Sequence, residues 1–431
     1  MKESTAAPAS TVSAEQRFDA EVRSHLRRNY LAHLAHGLLG QTGMRLLNAP
    51  TFIPAYVFAL SGSELAVGVA RGLQYLGMFL SPIVGATVIE HRRRVLPVGF
   101  TVGALMRVQI LGLALAGLFL APPGPLYACF LFLGLFGVFL GVQGVVFNFL
   151  VSKVVPVDVR GRLMGLRNAL SGLTAFAVSL YAGSRLIEDD VLGNGYAATF
   201  LLAFALTSVG LLMLLFVREP ESPGVRQATA VTQRLRELPA LLRQDPEFTR
   251  YFLARALAVT GRMAMPFYIL YAQAELTISA TRLGELTAAF VLAQSVGNLG
   301  WGAVADRAGF RAVFLASLST WMLSAVALLA TSGYGWLLLV FVGLGAGQGG
   351  FQMSAQNLVL EFGSRQNLPL RIAVANSASE LVAAVGAVGG GARGLLVSHT
   401  AVFLVAITAQ SVAIALVFFG VREPRTRPPR G

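Results

Sequence analysis

Charge is scarce in this chain: Asp, Glu, Lys and Arg make up 13% of 431 residues, against 55% hydrophobic residues and a mean hydropathy of +0.66. A water-soluble domain of this length needs far more polar surface, so the bilayer is the expected solvent. Acid is scarcer than base, 21 residues against 34, for a net charge of +13. The aromatic residues lie in apolar runs and are not interleaved with the basic ones, which excludes nucleic acid as the expected partner. Cysteine is nearly absent. Cys129 sits alone inside an apolar run, which excludes an intrachain disulfide and a cysteine metal site. No Ser/His/Asp arrangement, phosphate loop or metal-ligand cluster stands out, so neither an enzyme nor a bound cofactor is expected. The first 28 residues lack an apolar core followed by a small-residue cleavage site and read as a cytosolic arm, not a signal peptide.

What is abundant is apolar sequence in long runs. A membrane-spanning helix needs about 20 mainly apolar residues. Twelve such segments can be drawn, near 30–59, 65–89, 95–120, 126–152, 163–187, 195–217, 248–273, 282–305, 311–331, 334–360, 371–397 and 400–421. Asn48-Ala-Pro50-Thr-Phe-Ile-Pro54 and Gly386-Ala-Val-Gly-Gly-Gly391 interrupt two of them, a pattern that membrane bundles tolerate. With both termini on one side, that side's tails and loops with the adjoining span ends hold 25 of the 34 Lys and Arg residues, and the opposite loops and span ends hold only Arg185 and Arg282. Positive residues stay inside, so both termini are expected in the cytoplasm, with the protein in a bacterial inner membrane. The expected division is a cytoplasmic arm over 1–29, a six-helix bundle over 30–217 and a basic loop over 218–247. A second six-helix bundle over 248–421 and a tail over 422–431 complete it. Within the loop, Gln233 to Arg243 has the pattern of a surface amphipathic helix.

Two loops carry the same device. Gly302-Ala-Val-Ala-Asp306-Arg307-Ala-Gly309-Phe-Arg311 joins segments eight and nine. A worn copy, Gly85-Ala-Thr-Val-Ile-Glu90-His-Arg92-Arg93-Arg94, lies 217 residues earlier. Glycine permits close helix approach, and a carboxylate at a helix end can pair with arginines or a facing helix N-terminus. Gly85, Glu90, Arg92, Gly302, Asp306, Arg307, Gly309 and Arg311 are therefore candidate gating residues. Other echoes relate the halves: Thr42-Gly-Met-Arg45 with Thr260-Gly-Arg262-Met, Gln143-Gly144 with Gln348-Gly349, and Arg167-Asn168-Ala with Ala375-Asn376-Ser. Such pairs point to a duplicated six-helix unit.

Six plus six helices, a basic central loop and Gly-x-x-x-Asp-Arg-x-Gly-x-Arg between segments eight and nine resemble the major facilitator superfamily over about residues 30–422. The resemblance implies an all-α integral membrane protein with twelve transmembrane helices in two pseudo-symmetric bundles, alternating access, and a small-molecule substrate held between the bundles. The chain departs from the family pattern at Glu90, which stands one position late, and at Leu140, where many proton-coupled members carry Arg. It also lacks the Gly-Pro signature of many drug/proton antiporters in segment five.

Polar residues recur at one-face helical spacing in several segments. Gln41, Asn48, Gln143, Gln348, Gln352 and Asn376 are candidate substrate-binding residues, together with Arg45 and Arg262. These two arginines lie about 20 Å from their cytoplasmic helix ends at 1.5 Å per residue. A guanidinium at that depth costs about 2.5 kcal/mol or more unless it meets water, an acid or a ligand. Opposed arginines suit a carboxylate or phosphate. Glu380, the one carboxylate well inside a span, is a candidate proton carrier or the counter-ion of an embedded arginine. The expected function is secondary transport of a small, anionic organic solute, with the bilayer as surroundings and protons as a possible coupling ion. Alternative readings are a proton-coupled exporter of amphipathic drugs or lipids that uses Glu380, and a non-transporting membrane assembly factor or receptor of the same fold.

Overall fold

The computed structural model describes residues 14–222, 242–243, 245–359, 362, 368–396 and 399–421. Among these, regular structure is helical, and the helices follow the apolar runs. Eight are long and apolar enough to cross a membrane unaided: Glu64–Ile89, Leu96–Phe119, Gly124–Val154, Asp158–Ile187, Gly195–Phe216, Ala280–Leu329, Tyr334–Leu358 and Thr400–Gly420. Ala280–Leu329 carries two of the expected spans. Trp301 Nε1 donates to Ala346 O at 2.8 Å, and the Trp321 ring lies 5.6 Å from that of Phe351. Residues 301 and 321 would be about 30 Å apart in a straight helix, yet both touch one short stretch of span ten. The chain reverses at Gly309, whose φ of 83° and ψ of 167° belong to a region open essentially to glycine.

The other three crossings are interrupted or more polar. Span one is Leu26–Asn48 followed by Phe52–Ser61. Span seven is Pro246–Ala258 followed by Thr260–Glu275, and span eleven is Leu368–Leu396. The break in span one falls at Ala49-Pro50-Thr51, where proline cannot donate to the preceding turn. The carbonyls freed there are taken up by Arg71 of span two, whose Nη2 donates to Leu47 O (3.1 Å) and Ala49 O (2.9 Å). A buried arginine thus fixes a bend. Asn194, Asp245 and Ser279 cap helix starts by accepting from Ala197, Phe248 and Arg282 N–H groups.

One feature differs from the sequence expectation. Part of the arm, Ala14–Ser24, is a helix of its own, and span one begins at Leu26. The expected surface helix over Gln233–Arg243 lies, save its last two residues, outside the described residues.

Large apolar side chains such as Phe119, Leu339, Val385 and Phe419 are exposed, as lipid contact requires. The face on which the described residues begin and end is recognisable from its contacts. Arg28 Nε donates to Phe216 O (2.6 Å), Arg250 Nη1 to Gly420 O (3.2 Å) and Arg311 Nε to Val421 O (2.6 Å). Among the described residues, pairs on this terminus-proximal face stay within one half. The halves meet instead toward the opposite, distal face. There span two packs on span eleven and span five on span eight, backbone against backbone. A Cβ on Gly284 would lie 2.7 Å from Ser179 O and 2.9 Å from Gly183 Cα. On the symmetry-related seam, a Cβ on Gly391 would lie 2.8 Å from Glu64 O.

Candidate functional site

Polar side chains gather where the two halves meet near mid-depth. From span one, Arg45 Nη1 crosses the seam to donate to Ser295 Oγ (2.8 Å) and Gln294 Oε1 (3.2 Å) of span eight. Gln294 Nε2 is 3.4 Å from Gln348 Oε1 of span ten, whose Nε2 reaches Met265 Sδ of span seven (3.0 Å). Thr51 and Thr287 share a buried hydroxyl hydrogen bond of 2.6 Å across the same seam. In the other half, Arg262 Nη1 donates to Glu380 Oε1 at 2.7 Å, and its guanidinium sits 4.5 Å from the Tyr75 ring of span two. Each arginine therefore reaches into the opposite half, Arg45 to span eight and Arg262 to span two, as a pseudo-twofold duplication requires.

The two arginines do not share a partner. Arg262 is neutralised by Glu380, whereas the hydrogen bonds of Arg45 go to neutral side chains. Glu380 keeps one oxygen, Oε2, buried without a hydrogen-bond partner. Other embedded arginines among the described residues are held by their own half. Arg107 donates to Thr207 O (2.6 Å) and Gly103 O (2.7 Å), and Arg255 to Asn376 Oδ1 (2.7 Å) and Ala355 O (3.3 Å). Asn376 is thus occupied by Arg255. Asn48, exposed, accepts from Gln74 Nε2 (3.0 Å), and Gln41 accepts from Ser171 Oγ (2.8 Å). Gln143 is buried, with Oε1 unpartnered, and Gln352 is exposed. His36 Nδ1 lies 3.0 Å from Gly210 O, while neither ring nitrogen of buried His33 has a partner.

The loop device is split in its behaviour. Gly309 makes the reversal, and Arg311 donates through Nη2 to Phe418 O (2.7 Å) as well as to Val421 O, satisfying carbonyls at the end of span twelve. Asp306 and Arg307 are exposed, and neither makes an ion pair among the described residues. A Cβ on Gly302 would meet nothing within 4 Å, so this glycine is not at a close helix approach here. Gly85 is: its Cβ would lie 3.1 Å from Val142 O of span four. Glu90 ends span two, and Arg92 Nε donates to Val88 O of the preceding turn (3.2 Å).

Sequence reasoning missed the strongest charge cluster of the first half. Lys153 and Glu219 form a 2.7 Å ion pair with side chains 4% and 2% exposed. Glu219 also accepts from the Val95 and Leu96 N–H groups at the start of span three (each 2.8 Å), and Lys153 donates to Arg93 O (2.5 Å). A signal existed: Val217-Arg218-Glu219-Pro220 recurs as Val421-Arg422-Glu423-Pro424, after span six and after span twelve.

Helices of this number among the described residues, doubled about a seam that holds embedded arginines, define a two-bundle membrane protein. The sequence matches the model of the Major Facilitator Superfamily over residues 37–261 and again over 251–431, and the chain belongs to that family. In structure it is similar to a D-xylose-proton symporter, with TM-score 0.71 and 14% identity over 93% of this chain and 99% of that one. It is also similar to a single-site variant of the nucleoside transporter NupG, with TM-score 0.69 and 12% identity over 91% of this chain and 98% of that one. At such identities the likeness speaks for the fold alone. No curated protein sequence matches the chain.

Proposed function

We propose that this chain moves a small organic anion across the membrane by alternating access, with Arg45 binding the anionic group. The observation that carries this reading is the state of Arg45: a guanidinium near mid-depth, partly exposed, crossing the seam to neutral partners. A charge left there without a carboxylate calls for an anionic ligand. The spans that hold it, one and eight, belong to different halves, so a ligand that replaces Gln294 and Ser295 alters the bond between the halves. Ligand binding and rearrangement then draw on the same interactions. The orientation that fits is both termini in the cytoplasm. The seam is drawn together at the distal face, Asp306 and Arg307 make no ion pair among the described residues at the proximal one, and the site is thus offered inward. In the outward-facing arrangement, Asp306 and the loop arginines become a latch on the cytoplasmic side.

Proton coupling is the second reading, and the Arg262–Glu380 pair favours it. Protonating Glu380 removes the charge that holds Arg262 and frees the guanidinium for substrate or for Tyr75. An exporter of amphipathic drugs or lipids would use the same carboxylate, but the neutral amides around Arg45 suit a polar solute better.

The test is a thermal-shift screen of detergent-purified protein against anionic, neutral and cationic metabolites and drugs. A ligand at 100 times its Kd adds about 2.7 kcal/mol of apparent stability. Stabilisation by anions that is lost in Arg45→Ala and kept in part by Arg45→Lys is expected. Stabilisation by cations alone, or by anions equally in Arg45→Ala, overturns the assignment.

A further inference from the structure

We infer that the anion this site takes is hydroxylated, a small carboxylate bearing several hydroxyl groups, and that Asn298 is the residue that reads a hydroxyl. The inference rests on the anion reading above and adds to it a substrate class and a specificity residue.

The surroundings of Arg45 are built from amides. Gln294 accepts from Arg45 and lies against Gln348, so the carboxamides form a short relay from the guanidinium into span ten. One turn beyond Gln294, on the same face of span eight and nearer the terminus-proximal mouth, stands Asn298. Its Oδ1 is buried with no hydrogen-bond partner. One turn beyond Gln348, on span ten, stands Gln352, which is exposed. Gln352 lies about 9 Å from the helix end at Leu358, and an exposed amide within the span is disfavoured against hydrocarbon, where unmet polar groups cost several kcal/mol. The opening between the halves is the setting that suits it. Two helices thus present amides in step along a path that ends at Arg45.

A carboxamide offers donors and an acceptor together, which is the complement of a hydroxyl group. An unmet acceptor such as Asn298 Oδ1 needs a donor, and a carboxylate has none to give. An alcohol does. A purely apolar acid entering here would pair with Arg45 and leave the amides stripped of water and unmatched, which sites built for hydroxyls penalise heavily. A neutral polyol would meet the amides and leave Arg45 without its counter-charge. A molecule that carries both groups satisfies the whole set.

The measurement is binding in detergent, by thermal shift with concentration series of three probes of similar chain length: gluconate, hexanoate and glucose. Gluconate is expected to bind at least tenfold more tightly than either of the others. In Asn298→Leu the gluconate advantage over hexanoate is expected to shrink about tenfold, with gluconate binding weakened and hexanoate binding, freed of the unmatched amide, no weaker than in the wild type. Asn298→Ser serves if the leucine variant does not fold, with a smaller loss in the same direction. Equal or tighter binding of hexanoate or glucose by the wild type, no binding of gluconate, or an unchanged gluconate-to-hexanoate ratio in the variants each overturns the proposal. Flux is measured separately in liposomes. Gluconate that binds but does not cross refutes the transport reading and leaves the site chemistry standing, while crossing of hexanoate in preference to gluconate does the reverse.

Discussion

Replacing Gly284 by alanine tests how the halves close. Its Cβ would stand 2.7 Å from Ser179 O and 2.9 Å from Gly183 Cα, both backbone atoms of the other half. Ordinary contact begins near 3.4 Å, so span five must retreat from span eight by about 0.7 Å. Overpacking of this kind costs about 1–3 kcal/mol. Alanine also favours the helix by up to about 1 kcal/mol over glycine, but it does so in every conformation and cancels from the equilibrium between them. The distally closed arrangement should therefore lose about 5- to 150-fold in population relative to the open one. Gly391→Ala, on the symmetry-related seam, should act in the same direction. Gly389→Ala is the control, because a Cβ there meets nothing within 4 Å. Spin labels at Leu192 and Ser332, exposed on the distal loops of the two halves, report the separation by pulsed electron resonance once Cys129 is replaced by alanine. A longer-distance population in Gly284→Ala and Gly391→Ala, absent from Gly389→Ala, is the expected result. Distance distributions identical in all three would refute the claim that backbone contact at these glycines closes the distal face.

Other variants probe the charge pairs and the turn. Arg262→Ala leaves the largely buried Glu380 uncompensated, so thermal denaturation should show a loss approaching about 3–5 kcal/mol, with partial recovery in the double variant Arg262→Ala/Glu380→Gln. Glu380→Gln alone should abolish proton-driven accumulation and retain exchange down a gradient; wild-type accumulation rejects proton coupling. Lys153→Met should likewise destabilise by about 3–5 kcal/mol, and Lys153→Met/Glu219→Gln by less, with the interaction energy read from the double-mutant cycle. Gly309→Ala forces a side chain into backbone angles open essentially to glycine and should cost about 1–3 kcal/mol, seen as a lower melting temperature than Gly302→Ala.

Much of the architecture could be read from residue order. Long apolar runs marked the crossings because each must satisfy its backbone internally, and the loop motif marked the junction of segments eight and nine, although that Gly309 makes the reversal rests on its backbone angles. The charge register also foretold that Arg45 and Arg262 would occupy related places, 217 residues apart. Their partners could not be read. Arg45 meets Gln294 and Ser295 some 250 residues away, and nothing in local spacing selects those from the other polar residues of span eight. Glu380 was a candidate counter-ion of Arg262 because it is the one deep carboxylate, and the 2.7 Å pair has that scarcity as its cause. Glycine contact across the seam was hidden because glycine is common throughout these spans, and only three-dimensional placement separates Gly284 and Gly391 from Gly302 and Gly389. The buried Lys153–Glu219 pair was hidden for a different reason: Glu219 lies in a loop rich in charge, where exposure is the ordinary expectation.

Counterflow in proteoliposomes tests the central claim most directly. Vesicles holding purified protein and an internal pool of an organic anion are given a trace of the same labelled anion outside, and accumulation is followed against empty vesicles. The account predicts saturable uptake that disappears in Arg45→Ala while the purified variant keeps its helical circular dichroism spectrum. Uptake no greater than in empty vesicles, across the anions that stabilise the wild-type protein, would contradict transport and favour a non-transporting receptor or assembly factor.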